Sequence, residues 1–158
     1  MPSAWVVTVS DRCFRGEAED RSGPALGELL ARNGVVLAGR SLVPDEGPQI
    51  VAAIEEGIRS GAALVVTTGG TGLAARDVTP QATAPLFDYE VPGLAEEMRR
   101  AGLEKTPNAL LSRSLAGVRG RTLILNLPGS VAGATESLEA ILPVLGHALR
   151  LLGGDSGH

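Results

Sequence analysis

Three glycines in four residues, Gly69-Gly70-Thr71-Gly72, follow the apolar run Ala63-Leu64-Val65-Val66-Thr67. One glycine suffices for a turn, whereas three let the backbone approach an anion and aim successive N–H groups at it. Thr67, Thr68 and Thr71 add hydroxyls to the same stretch. A second loop, Asn126-Leu127-Pro128-Gly129-Ser130, precedes the last amphipathic stretch, so its N–H groups and Ser130 are candidates to hold a second anionic group. Carboxylates accompany these loops. Asp77, within Arg76-Asp77-Val78-Thr79-Pro80, lies just downstream of the first. A carboxylate beside bound phosphate repels it unless a cation lies between, which makes Asp77 a candidate Mg²⁺ ligand. The alternative is a helix-flanking acid favoured by the helix dipole. Arg76 is placed either to contact phosphate or to pair with Asp77. Asp45-Glu46 follows the second apolar run, and Ser10-Asp11-Arg12 the first. Oxygen donors, carboxylates and glycine loops suit a Mg²⁺-nucleotide reaction, in which positioning and charge neutralisation supply most of the catalysis.

What the chain lacks narrows the chemistry further. No Gly-Lys-Ser/Thr follows the first loop, and no Gly-x-Gly-x-x-Gly follows the first strand, so neither a Walker A loop nor a dinucleotide fingerprint is present. His147 falls in the last predicted helix and His158 at the chain end, and neither is placed to serve a Ser or Cys nucleophile. Cys13 is the only cysteine, which excludes an internal disulfide and reads as a buried or idle thiol. No Cys/His cluster has zinc-ligand spacing.

These motifs act together only if the fold brings them to one place. Residues 4–9 read as a buried strand. Ser22-Gly23-Pro24 opens a helix, with Ser22 as N-cap and Gly34 as its stop. Residues 35–43 read as a second strand, stopped by Pro44. Residues 48–59 read as a helix with Ile50, Ile54 and Ile58 on one face, and 63–67 as a third strand. Thr79-Pro80, an N-cap and N1 proline, starts a short helix. Residues 93–113 read as helical in two pieces, interrupted near Thr106-Pro107. A strand at 121–127 pairs with 114–118 as a hairpin, and the last helix spans 133–152, with Pro143 as a kink or restart. The predicted fold class is α/β. It is a single three-layer domain over residues 1–152, with a mostly parallel sheet, helices on both faces and one antiparallel edge strand; residues 153–158 form a flexible tail. In such a sheet ligands bind beyond the carboxyl ends of the strands, so the four polar or glycine-bearing loops should share one edge.

Composition bounds the rest. A chain of 158 residues fits one domain. Its net charge of −4 argues against general nucleic-acid or anionic-membrane binding. Aromatics make up 3%, so the core must be aliphatic. Glycine is in excess: 21 residues, about 13% against a usual ~7%. Gly34 and Gly61 read as helix terminators, and Gly27, Gly57 and Gly146 as sites of close helix packing. The N-terminus lacks the pattern of a signal peptide and no apolar run approaches a membrane span, so a cytoplasmic setting is expected.

At these motifs the sequence resembles the MogA/MoaB-type molybdenum cofactor biosynthesis proteins, related to the gephyrin G domain. The matching stretches are Thr8-Val9-Ser10-Asp11-Arg12, Asp20-Arg21-Ser22-Gly23-Pro24, residues 67–80 (TTGGTGLAARDVTP), Pro92-Gly93, Glu97-Met98-Arg99, Leu111-Ser112-Arg113 and residues 126–130 (NLPGS). The resemblance implies a molybdopterin-binding fold and a molybdopterin adenylyltransferase with ATP and molybdopterin as substrates and Mg²⁺ as cofactor. It implies that Asp45 and Asp77 are the catalytic acids and metal ligands. The implied binding set is Ser10, Asp11, Thr68, Gly69, Gly70, Thr71, Gly72, Arg76, Pro128, Gly129 and Ser130. Of these, the Gly69–Gly72 loop would cradle phosphate, and Gly129 and Ser130 the pterin end. The family forms trimers or hexamers and works beside other cofactor-biosynthesis proteins. Gln81 and Val131 depart from its usual pattern of Glu after Thr-Pro and Pro after Pro-Gly-Ser. The alternative within the family is a non-catalytic molybdopterin carrier of the MoaB type.

Overall fold

The computed structural model describes residues 1–155, so His158 and residues 156–158 of the expected tail lie outside the described residues. Gly153, Gly154 and Asp155 continue main-chain bonding to the end of the last helix.

Six strands, β1 (Ser3–Val9), β2 (Val36–Val43), β3 (Leu64–Thr68), β4 (Tyr89–Glu90), β5 (Ala116–Arg119) and β6 (Thr122–Leu127), form one sheet in the order β2-β1-β3-β6-β5-β4. The β1–β2, β1–β3 and β3–β6 pairs are parallel, and β5 is antiparallel to both β6 and β4. β5 is therefore the reversed strand, and the two-residue β4 covers its outer side. The expected hairpin is present, closed by Gly120. The parallel strands end level with one another: Thr8 faces Thr68, Thr68 faces Leu127 and Val9 faces Val43. That register puts the four following loops on one edge.

Helices cover both faces. Beyond the short helical turn α1 (Asp11–Phe14) come α2 (Ser22–Arg32), α3 (Gly47–Arg59), α4 (Thr79–Thr83), α5 (Pro92–Leu103) and α6 (Val131–Leu152). Alternation along the strands divides the core in two. Ala4, Val6, Leu64, Val66, Leu123 and Leu125 face α2, α5 and α6, whereas Val7, Val9, Val65 and Ile124 face α3. Among the described residues every buried hydrophobic is aliphatic except Met98. Fully burying a Leu or Ile contributes roughly 1.5–3 kcal/mol, and Leu26, Leu30, Ile50, Ile54, Leu123 and Leu138 are all below 2% exposed. No helix among the described residues is long and apolar enough to cross a membrane.

Local departures from expectation have clear causes. Ser22 lies inside α2, and Asp20 does the capping, its carboxylate accepting from Gly23 N at 3.0 Å. Pro143 neither breaks nor restarts α6, which is continuous for 22 residues. The carbonyl it deprives of a partner belongs to the exposed Glu139, where water can replace the bond. Close packing holds at Gly27, against Leu37, and at Gly57, against Trp5 and Val65. At Gly146 an added Cβ would meet only Arg150, at 3.5 Å. Trp5 sits across from Gly39 at an irregularity in the β1–β2 pairing, and its Nε1 donates to Ser41 Oγ at 2.8 Å. A Cβ on Gly39 would lie 2.3 Å from the indole.

Candidate functional site

The loops after β1, β2, β3 and β6 enclose a cleft of about 560 Å³ at the carboxyl edge of the sheet. It gathers Ser10, Asp11, Asp45, Thr68, Gly69, Gly70, Asp77, Gly129 and Ser130. Thr71, Gly72 and Pro128 line a second cavity, of about 500 Å³, and Ser130 lies in the wall of both. Arg76 stands outside the cleft, in a shallower hollow with Asp45 and Glu46.

The glycine loop takes its shape from positive φ at Gly69 (108°) and Gly70 (71°), a region L side chains rarely adopt. Space is equally restrictive: a Cβ on Gly69 would lie 2.2 Å from Val9 O, and one on Gly70 2.2 Å from Thr79 Oγ1. Thr79, an N-cap by residue type, is instead the first residue of α4. Its Oγ1 donates to Gly69 O at 2.9 Å and its N–H to Gly70 O at 3.1 Å. Thr68 is 1% exposed and its hydroxyl is committed, donating to Pro128 O at 2.7 Å, with Ser22 Oγ at 3.0 Å. It thus ties the first glycine loop to the second. Ser130 caps α6, its Oγ accepting from Gly133 N at 3.0 Å, and Val131 beside it borders the cleft. The free N–H groups of this 22-residue helix's first turn therefore open at the cleft.

The acids form a graded set. Asp11 N–H donates to Asp45 Oδ2, and Asp45 N–H to Asp11 Oδ1. Arg76 lies across Asp11 through Nε and Nη2 and reaches Glu46 Oε1 through Nη1, all at 3.0 Å. Arg76 thus pairs with Asp11 and Glu46, and not with its neighbour Asp77. The Arg76 guanidinium, helped by Asp45 N–H, holds the Asp11 carboxyl below its usual range. Burial pushes the Asp45 carboxyl up, and the charges of Asp11 and Asp77 push it further against the pull of Asp11 N–H. Asp77 Oδ2 accepts from Ala74 N at 3.1 Å.

This donor set fits Mg²⁺ held jointly with a phosphate. Among the described residues no hydrogen bond reaches Oδ1 of Asp45 or of Asp77, and a Cβ on Gly70 would lie 3.2 Å from Asp45 Oδ1. Among the described residues no group of three acids, histidines or cysteines is arranged to hold a metal alone. One or two carboxylates completed by substrate phosphates and water is the usual protein share of a Mg²⁺ shell.

The second cavity is of another character. Leu73, Met98 and Leu111 give it apolar walls, and Arg99, Lys105, Glu136 and the fully buried Asn126 also line it. Asn126 Nδ2 donates to Thr67 Oγ1 and Thr83 Oγ1, and its Oδ1 accepts from Leu115 N. This network ties α4 and the start of β5 to the sheet.

Sequence reasoning named no role for Asp20, Glu46, Arg113 or Asn126. Asp20 is visible in retrospect as an acid three residues before a helical N–H. The other three act through folded geometry, with partners 11 to 59 residues away.

Residues 5–147 match the family model described as a probable molybdopterin binding domain. The chain belongs to this family. Among its solved members, the molybdopterin biosynthesis enzyme MoaB from Thermus thermophilus is 57% identical, with a TM-score of 0.92 and 98% of each chain covered. A molybdenum cofactor biosynthesis bifunctional protein of Chlorobaculum tepidum is 40% identical over 99% of this chain, which spans 50% of that protein. A molybdopterin adenylyltransferase of Haemophilus influenzae is 42% identical, covering 91% of this chain and 75% of that protein. The chain thus spans about half the length of the bifunctional relative. The α/β domain predicted from the sequence is the fold these family members share.

Proposed function

We propose that the protein acts in molybdenum cofactor biosynthesis as a Mg²⁺-dependent molybdopterin adenylyltransferase. The observation that carries this reading is the shared wall at Ser130. An acid-lined cleft with glycine loops, suited to a triphosphate and its metal, adjoins a largely apolar cavity whose lining includes Arg99 and Lys105, suited to an anionic heterocycle. The adenylyltransferase relative at 42% identity supports it.

In this reading a terminal phosphate oxygen of molybdopterin attacks the α-phosphorus of ATP. The bond to the β-phosphate oxygen breaks, giving adenylyl-molybdopterin and pyrophosphate. The attacking phosphate is already an anion, so no protein base is required, which accords with His147 lying in α6 outside the cleft lining. Bound Mg²⁺ supplies charge neutralisation on the departing pyrophosphate. Asp45 and Asp77 would hold it, the Gly69–Gly72 loop and the first turn of α6 would orient phosphates, and Ser130 would fix the junction between the substrates. The setting is cytoplasmic, and the assembly a trimer or hexamer that meets other cofactor-biosynthesis proteins; light scattering tests the assembly.

A single assay tests the reaction: ATP, Mg²⁺ and molybdopterin with the full chain, and product analysis for adenylyl-molybdopterin, free AMP and pyrophosphate. Adenylyl-molybdopterin with matching pyrophosphate is the expected result. A second reading is a molybdopterin carrier of the MoaB type, the name that the relative at 57% identity bears. Pterin binding without pyrophosphate release would select it.

A further inference from the structure

We infer that Arg113 is the positioning residue that sets Asp77, and that through it the apolar cavity is mechanically coupled to the acid cleft; the inference rests on the adenylyl-transfer reading. Its guanidinium donates from Nε to Gly72 O at 2.9 Å, from Nη2 to Asp77 O at 2.7 Å and from Nη1 to Gln81 Oε1 at 2.9 Å. Its main-chain N–H donates to Thr71 O at 3.0 Å. Gly72 and Asp77 are the two ends of the loop that carries the acid, so one planar group spans the loop's mouth. Within the loop Asp77 N–H donates to Ala74 O at 2.9 Å, and Ala74 N–H to Asp77 Oδ2 at 3.1 Å. The carboxylate is therefore tied to the loop backbone and moves with it. There is little slack, since a Cβ on Gly72 would lie 2.9 Å from Asp77 Oδ2.

The chain on either side of Arg113 belongs to the other cavity. Leu111, Ser112 and Ser114 line it, together with Thr71 and Gly72. Ser112 Oγ bonds Ser114 Oγ at 3.1 Å and accepts from Ser114 N at 3.3 Å, and Arg99 Nη1 donates to Ser114 O at 2.9 Å. A ligand seated against this braced segment bears on the backbone whose intervening side chain holds Asp77. Three acceptors in fixed directions suit the rigid fork of arginine; a lysine ammonium, a compact point charge, cannot match them.

The test compares R113K and R113Q with wild type in the full chain, using steady-state kinetics with ATP, Mg²⁺ and molybdopterin, thermal melting, and amide hydrogen exchange across residues 72–77. Both variants are expected to lose about 10- to 100-fold in kcat while KM for molybdopterin stays within about 3-fold. Exchange across residues 72–77 should quicken about 10-fold without a matching global change. A wild-type kcat in R113K, or a kcat loss with unaltered exchange in this loop, overturns the inference. If R113Q does not fold, R113K decides alone. If the wild type forms no adenylyl-molybdopterin, the proposed reaction fails by itself. Exchange across residues 72–77 in unligated R113K against wild type then decides the positioning role, and equal rates overturn it.

Discussion

Asp11 and Asp45 cap each other: each main-chain N–H donates to the other's carboxylate, at 3.0 Å in both directions. Two like charges are thereby fixed side by side at the ends of neighbouring strands. Compensation reaches them unequally. Arg76 lies on Asp11, whereas burial and the charges of Asp11 and Asp77 act against the Asp45 carboxylate. Asp11 is a settled structural anion, and Asp45 is the one that a cation would relieve.

Asp45→Asn should therefore raise stability while removing activity. The amide keeps an oxygen for Asp11 N–H and loses the charge. The pH dependence has a defined sign. A carboxyl whose folded pKa lies above its unfolded value destabilises the fold once ionised, so its cost is absent below the unfolded pKa and complete above the folded one. Scanning calorimetry should find Asp45→Asn melting roughly 1–3 °C above wild type near pH 7, with the gap closing in acid. A lower melting point at pH 7 would remove the argument.

Arg76→Met should have the opposite acid signature. Asp11 is held below its usual range, so its contribution is present above the unfolded value and lost as pH falls through the folded one. The variant should shift Asp11's carboxyl resonance titration upward and begin acid unfolding at higher pH. Because Arg76 is 56% exposed, the difference should shrink in about 1 M salt.

Asp77→Ala is expected to cut pyrophosphate release by about a thousandfold or more and to leave molybdopterin binding intact by equilibrium dialysis. Wild-type turnover in the variant would take Asp77 out of the reaction. Asp77→Asn, which keeps an acceptor for Ala74 N, separates loss of charge from loss of the turn.

Gly69→Ala should cost about 2–4 kcal/mol in urea unfolding, since it combines positive φ with a clash against Val9 O. Gly47→Ala is the control. Open space surrounds Gly47 at the start of α3, and the change should be neutral or stabilise by up to about 1 kcal/mol. Equal losses at both positions would show that loop geometry is not the cause.

The architecture was legible because its signals are local. Aliphatic runs and amphipathic spacing marked β1, β3, β6 and α3, and strand–helix alternation specified a parallel sheet whose edge must collect the loops. The reversed β5 was visible as a hairpin, but β4 was not, because two exposed residues carry no pattern. At the site, residue types pointed to the acids and glycines, while their pairings depended on folded distances. Arg76 bypasses Asp77 for Asp11, 65 residues away. Thr68 is a tie between loops, although its chemistry alone reads as a phosphate donor. Ser22 and Asp20 are both good caps by type, and only backbone geometry chooses Asp20.

Trp5, the sole tryptophan of the chain, lies between Gly39 and Gly57 near the start of β1. Ser10, at the cleft, is five residues further along the strand direction, roughly 17 Å at the usual rise. The indole's fluorescence should therefore gauge the packing of β2 and α3 while staying indifferent to what occupies the cleft. Unfolding can be followed by intrinsic emission without a label, and ligand titrations need a reporter placed elsewhere.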